Sequence, residues 1–121
     1  DIYLTRRFVC GTERFDLTKI EGKLTLNQKI YLKKDDKNIY ENKAIIVLNL
    51  DGYIIGYLPQ NEDGILNNLI DAGKKIYGKI VYISEDFEEI EVKLYLSAAD
   101  IMKEITQAFN MIAEQPVGYI N

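Results

Sequence analysis

Histidine and tryptophan are absent from this chain, and cysteine occurs once. Without histidine, neither a Ser-His nor a Cys-His pair can activate a nucleophile. The same shortage excludes a structural zinc site, which draws its ligands from several Cys and His residues. A lone thiol has no internal disulfide partner, which fits a reducing, cytoplasmic setting. Cys10, between Val9 and Gly11, is expected as a small buried apolar side chain. Glycine-rich phosphate loops of the Walker or dinucleotide type are missing too. No apolar run approaches the roughly 18 residues that cross a bilayer, and no signal-peptide pattern is visible. Because the chain opens on Asp1 and not on Met, a few residues are expected ahead of it.

What remains describes an ordinary folded domain. At 121 residues the chain is one domain with a terminal helix added, and it can bury roughly two thirds of its unfolded surface. A hydrophobic share of 47% beside 28% charged residues excludes disorder. The net charge of −4 argues against a broad grip on polyanions through counterion release. Cation pairs at Arg6-Arg7, Lys33-Lys34 and Lys74-Lys75 leave room for a local basic patch, with solvated strand edges as their plainer reading.

The stretch from Lys33 to Pro59, KKDDKNIYENKAIIVLNLDGYIIGYLP, organises the rest. Ahead of it, Ile2 to Cys10 is rich in β-formers and reads as a strand ending in a bend at Gly11. Asp16 is placed to cap a short helical turn before Gly22. Gln28 to Lys34 alternates polar and apolar residues, as a strand with one buried face does. Asp35 to Lys43 is a polar loop too long for an ordinary hairpin connection, and such loops often carry function. Ala44 to Leu48 is a buried strand. Asn49-Leu50-Asp51-Gly52 then makes a tight hairpin with Gly52 at positive φ, and Tyr53 to Leu58 returns until Pro59 stops it.

A helix is expected over 62–72, capped by Asn61, with Ile65, Leu66, Leu69 and Ile70 on one apolar face and Gly73 at its end. Lys75 to Ser84 and Glu88 to Leu96 are two further strands. Ser97 and Asp100 form a capping box for a last helix. Its stripe, Ile101, Ile105, Phe109 and Ile112, is expected to cover the open end of the barrel, and docking of a partner is the alternative. The pattern is mainly β with two or three helices. It predicts a small bent antiparallel barrel, OB-like or SH3-like, over 1–96 and a C-terminal helix over 97–121.

For catalysis only carboxylates are left. Glu85, Asp86, Glu88, Glu89 and Glu91 alternate faces on strands flanking a turn, so their oxygens do not converge on a substrate or metal. No enzyme activity and no cofactor are expected. Nine tyrosines and four phenylalanines leave binding open, since barrels stack single-stranded bases on aromatic rings beside cations. Tyr31, Tyr53, Tyr77 and Tyr95 read as half-buried strand residues. Tyr40 differs, because it lies in the polar loop between Asn38 and Glu41. Tyr57 at the strand end, with Arg14 and Phe15 after the Gly11 bend, is placed to face the same surface.

Taken in order, these segments resemble the HIRAN domain family. Val9-Cys10-Gly11 matches the family's strand ending in a Val-x-Gly-like step, and Tyr31-Leu32-Lys33-Lys34 its Leu-x-Leu-basic strand. Asn38-Ile39-Tyr40-Glu41-Asn42-Lys43-Ala44-Ile45 is similar to its Asn-x-Tyr-Asp-x-x-Ala-Ile loop. Asp51-Gly52-Tyr53-Ile54-Ile55-Gly56-Tyr57-Leu58-Pro59 resembles its glycine-bounded strand, and Leu69-Ile70-Asp71-Ala72-Gly73 its leucine-rich segment. The likeness covers roughly residues 2 to 83.

The resemblance implies a modified OB-like barrel that binds DNA, in characterised members the free 3′ end of a single strand. It implies that Tyr40 stacks on a base and that the Asn38 amide bonds a base edge or phosphate. Glu41 stands where the family has Asp, whose carboxylate accepts a bond from the terminal hydroxyl. The basic-aromatic pair after the glycine falls here within Glu13-Arg14-Phe15, with the basic residue one position on. The expectation is a non-catalytic nucleic-acid-binding module for single-stranded DNA or a 3′ end. Its contacts would be Asn38, Tyr40, Glu41, Arg14, Phe15 and Tyr57. The alternative is a protein-interaction module with another protein or a second copy as partner.

Overall fold

The computed structural model describes residues 1–35, 44–59 and 64–113, with part of the last helix described by its backbone alone. Strands β1 (Ile2–Phe8), β2 (Lys29–Lys34), β3 (Ile45–Leu48), β4 (Ile54–Leu58), β5 (Ile76–Ile83) and β6 (Ile90–Leu96) form one antiparallel sheet. Across the sheet their order is β1-β6-β5-β2-β3-β4. Helix α1 (Gly64–Asp71) joins β4 to β5, and α2 (Ala98–Ala113) follows β6. Two 3-10 segments, Thr12–Arg14 and Leu17–Lys23, fill the link from β1 to β2.

Alternation sets the two faces. Along β6, Ile90, Val92 and Leu94 are buried while Glu91, Lys93 and Tyr95 turn outward. The sheet does not stay flat, because Leu4, Ile55 and Val81 are each extra residues against their partner strands. Bulges sharpen the local twist. The sheet curls into a half-barrel until the outer strands meet beyond β1. There the Cys10 N–H donates to the Tyr57 carbonyl at 2.8 Å, and the Tyr57 N–H donates back to Cys10 at 2.9 Å. Gly56 makes this approach feasible, since a Cβ there would overlap the Cys10 carbonyl and the Val9 side chain.

Inside, Ile30, Ile45, Val47, Ile55, Leu58, Ile80, Ile90, Val92 and Leu94 are fully buried. Each such side chain contributes roughly 1.5–3 kcal/mol through removal from water. Leu17, Ile20 and Leu24 from the 3-10 region and Leu66 from α1 join the same cluster. The hairpin between β3 and β4 forms as expected, with Gly52 at φ 84°. Buried Asn49 holds it, its Oδ1 accepting from the N–H groups of Asp51 (3.0 Å) and Tyr53 (2.9 Å).

Several expectations need correction. Ile65 is 77% exposed, and Asn67 takes its place beside Leu66 on the buried side of α1. Asp16 makes no capping bond to its helix; it accepts from the Thr18 hydroxyl at 2.5 Å, and the segment runs through Gly22 to Lys23. Cys10 is half-buried, at the bridge that closes the sheet. At the start of α2, Ser97 Oγ accepts from Ala99 N–H at 3.3 Å while Asp1 accepts from Ala98 N–H at 2.9 Å, so the first residue supplies half of the cap.

The described part of the stripe on α2 does not cover the barrel, and the Ile101 side chain lies outside the described residues. Ile105, Phe109 and Ile112 are 44%, 67% and 63% exposed. The physical reason lies in the core, which Leu17, Ile20, Leu24 and Leu66 already complete. Among the described residues no helix is long and apolar enough to cross a membrane.

Candidate nucleic-acid interface

Gly11, at φ 71°, turns the chain out of β1 and into the Thr12–Arg14 segment. The Arg14 N–H donates to Gly11 O at 3.0 Å and the Phe15 N–H to Thr12 O at 3.2 Å. Buried Thr12 ties the turn to the β5–β6 hairpin, its hydroxyl donating to the Glu88 carbonyl at 2.7 Å. From this fixed base the Arg14 guanidinium reaches over the Tyr57 ring, 5.5 Å from its centroid. The same ring lies where a Cβ on Gly11 would stand. The one-position displacement of Arg14 therefore has no strand parity to offend, because a 3-10 turn, not a strand, presents it.

An open groove of about 520 Å³ adjoins this pair, lined by Arg14, Phe15, Lys19, Tyr53 and Ile54 among others. Tyr53 brings a second cation with it, for the Lys23 ammonium lies 5.3 Å from the ring centroid and 3.5 Å from the Asp51 carboxylate. Beyond Phe15 a smaller groove of about 240 Å³ runs to the β5–β6 turn and includes Phe87 and Glu88. Phe15 and Phe87 are half-buried and pack against the core, so both hold the groove walls in place. Phe87 adopts φ 60°, an unusual conformation for a bulky residue.

The turn that carries Phe87 is built on Asp86. Its carboxylate accepts from the Ser84 hydroxyl at 2.6 Å and from the Glu88 N–H at 3.0 Å. The Ser84 bond first, and then the Glu88 amide, hold the Asp86 carboxyl below the usual carboxylate range.

Of the six expected contacts, Arg14, Phe15 and Tyr57 come together here. Asn38, Tyr40 and Glu41 lie outside the described residues. The two ends of their loop are fixed, since the Asp35 N–H donates to the Ala44 carbonyl at 2.9 Å. Ile45 then pairs with Leu58 and Ile46 with Tyr57, so the loop leaves the sheet beside the Tyr57 strand end. Sequence reasoning missed Tyr53 and Phe87 as wall residues. Tyr53 could have been found from its place after the Asp51-Gly52 turn; for Phe87 nothing short of its backbone conformation signals the role. Among the described residues, no three His, Cys, Asp or Glu side chains are grouped to hold a metal ion.

A flat ring under a guanidinium beside an open groove suits stacking and phosphate contact. Comparison with known proteins bears on the same point. A family model for the HIRAN domain matches residues 2–99. The chain belongs to the HIRAN domain family. HIRAN domains are generally non-catalytic DNA-binding modules. The match spans all six strands and ends two residues into α2, so most of that helix lies beyond it. The fold is similar to that of a protein from Lactobacillus plantarum, with TM-score 0.71 and 22% identity, over 78% of this chain and 93% of that one. It is also similar to the HIRAN domain of human HLTF, with TM-score 0.64 and 23% identity, over 78% of this chain and 74% of that one. At these identities the likeness speaks for the OB-like fold. No curated protein sequence matches the chain.

Proposed function

We propose that this HIRAN domain binds the 3′ end of single-stranded DNA at the surface between the Thr12–Arg14 turn and β4. One observation carries the reading: the Arg14 guanidinium sits over the Tyr57 ring at the rim of an open groove. Arg14 would meet the terminal phosphate with a charge-assisted bond, and the Tyr57 and Phe15 rings would bound the last base. Asn38, Tyr40 and Glu41 complete the site in this proposal. The Tyr40 ring stacks, the Asn38 amide bonds a base edge or phosphate, and the Glu41 carboxylate accepts from the 3′-hydroxyl.

The test is a fluorescence-anisotropy titration with matched oligonucleotides carrying a 3′-hydroxyl or a 3′-phosphate, at two salt concentrations. The hydroxyl-ended strand is expected to bind several-fold more tightly, and Tyr40→Ala and Arg14→Ala each to abolish that preference. Equal affinity for both ends would overturn the proposal.

A second reading, a protein-interaction module, draws on a different observation. Phe109 and Ile112 on α2 are 67% and 63% exposed in a stripe that nothing among the described residues covers. Concentration-independent monomeric mass, with no bound partner after mild purification, counts against it.

A further inference from the structure

The outward face of β1, β6, β5 and β2 carries two parallel rows of side chains. Tyr3 pairs with Tyr95, Tyr95 with Tyr77, and Tyr77 with Tyr31, so four tyrosines cross four strands in one register line. Two residues along each of three strands, Lys93, Lys79 and Lys29 form the next line, and Arg6 extends it onto β1. Since side chains two apart share a face, both rows stand on the same side of the sheet. The burial pattern agrees, because Ile30, Gly78, Ile80, Val92 and Leu94 between them point inward.

The rows touch each other. Tyr77 and Tyr95 stack at 5.5 Å, and Tyr3 meets Tyr95 edge-on at 5.8 Å. Lys29 lies 4.5 Å from the Tyr77 centroid and 5.7 Å from that of Tyr31. Lys79 lies 5.9 Å from the Tyr95 centroid, and Lys93 lies 5.9 Å from that of Tyr3. Tyr3 and Tyr31, at the two ends, are 51% and 42% exposed. At the β2 end the row opens into a groove of about 320 Å³ bounded by Lys29, Tyr31 and Tyr77 on the sheet and by Lys74 and Lys75 beyond it.

We propose that this face is a second nucleic-acid surface, a track for the body of a single DNA strand. It goes beyond the end-binding pocket, which lies at the Arg14–Tyr57 edge and shares no residue with it. Charge complementarity selects the occupant: the molecule is net −4, yet this face concentrates cations. Among the described residues the face carries one carboxylate in the cation rows' neighbourhood, Glu91, and Arg6 engages it at 2.5 Å. Asp1, at the margin, accepts from the Tyr77 hydroxyl and from the Ala98 amide. A strand without 2′-hydroxyls needs only stacking faces and cations, and the two rows supply these.

The energetics favour exchange. An exposed lysine over a ring contributes less than a base stacked on an aromatic side chain. A lysine that swings from ring to phosphate therefore uncovers a stacking surface at a net gain. Four strands at roughly 4.8 Å spacing give a row about 14 Å long, which suits the smaller single-strand footprints of about four nucleotides.

The test uses a deoxythymidine strand of roughly ten nucleotides with a 3′-phosphate, long enough to lie across the row and unable to present a free end. Lys29→Glu/Lys79→Glu/Lys93→Glu is expected to weaken its binding at least about tenfold and to lower the salt slope by about two, from three lost phosphate contacts. Tyr31→Ala is expected to weaken it by about fivefold or more, the loss of one stacked base. In an Arg14→Ala background the preference for a 3′-hydroxyl is lost while the blocked strand still depends on Lys29, Lys79 and Lys93, so the pocket and the track can fail separately. Should the triple variant not fold, amine labelling of the unmodified protein decides: bound strand is expected to protect Lys29, Lys79 and Lys93. The assignment is overturned by no binding of the blocked strand, by unchanged affinity in folded variants, or by absence of lysine protection. Equal affinity for an abasic strand of the same length removes the stacking role, and tighter binding of the matching RNA gives the face to RNA instead.

Discussion

The ring of Tyr57 fills the space in which a Cβ on Gly11 would stand, directly beside the Cys10–Tyr57 bridge that joins the two outer strands. One contact thus serves closure of the sheet and placement of the Arg14–Tyr57 pair. Gly11→Ala must strain a positive φ and displace the ring, at a cost of roughly 2–4 kcal/mol. For a domain of this size that lowers the unfolding midpoint by about 10 °C. Gly22→Ala is the control, because nothing lies within 4 Å of its added methyl, and a change within about 0.5 kcal/mol is expected. Thermal denaturation of the two variants checks the contrast, and equal midpoints would rule the contact out as a determinant of stability.

Much of this arrangement was legible beforehand. Strong alternation marks β2, β5 and β6, and Asn49 to Gly52 announces its hairpin through turn chemistry. Six antiparallel strands with a helix between β4 and β5 follow from those elements, whereas their order across the sheet does not. What stayed hidden depends on long-range register. Single-residue bulges at Leu4, Ile55 and Val81 leave no mark in composition, yet they curl the sheet. Tyr3, Tyr31, Tyr77 and Tyr95 each look like ordinary strand residues, and only pairing across four strands aligns them. The stripe on α2 has the spacing of a core-facing helix; whether a core has room for it is not a local property.

Asp86 makes the β5–β6 turn sensitive to acid. Its pKa is held below the ordinary carboxylate value by the Ser84 hydroxyl first and the Glu88 amide next. A group with a depressed folded pKa contributes its stability above the unfolded value, about 4, and loses it as pH falls through the lower folded value. The turn is therefore expected to be fully ordered above about pH 4 and to loosen below it. Amide exchange at Glu88, corrected for its intrinsic pH dependence, is the measurement. Protection that does not change through this range, or that changes equally in Asp86→Asn, would count against the assignment.

Exposure of the α2 stripe predicts mutational tolerance. Phe109→Ser and Ile112→Ser are each expected to alter stability by no more than about 0.5 kcal/mol, as surface changes do. A buried phenylalanine reduced to a small residue would cost about 3–5 kcal/mol. Denaturant unfolding separates these outcomes by several-fold. A large loss in either variant would mean that the stripe is buried in solution, and parallel light scattering would show whether a second copy buries it.

The Arg14–Tyr57 pair yields the sharpest separation of roles. If the ring acts by its face, Tyr57→Phe keeps both the cation–π contact and the stacking surface, and affinity for a 3′-hydroxyl strand should stay within about twofold. Tyr57→Leu keeps bulk and burial but removes the π-face, so affinity should fall by about fivefold or more while the unfolding midpoint moves little. Arg14→Lys retains charge without the planar fork and should fall between the two. Titrations of the three variants against one oligonucleotide, with thermal midpoints measured alongside, order them. Equal loss in the phenylalanine and leucine variants would assign the effect to the Tyr57 hydroxyl. A loss that tracks the midpoints would assign it to closure of the sheet at Cys10, because the same residue serves both.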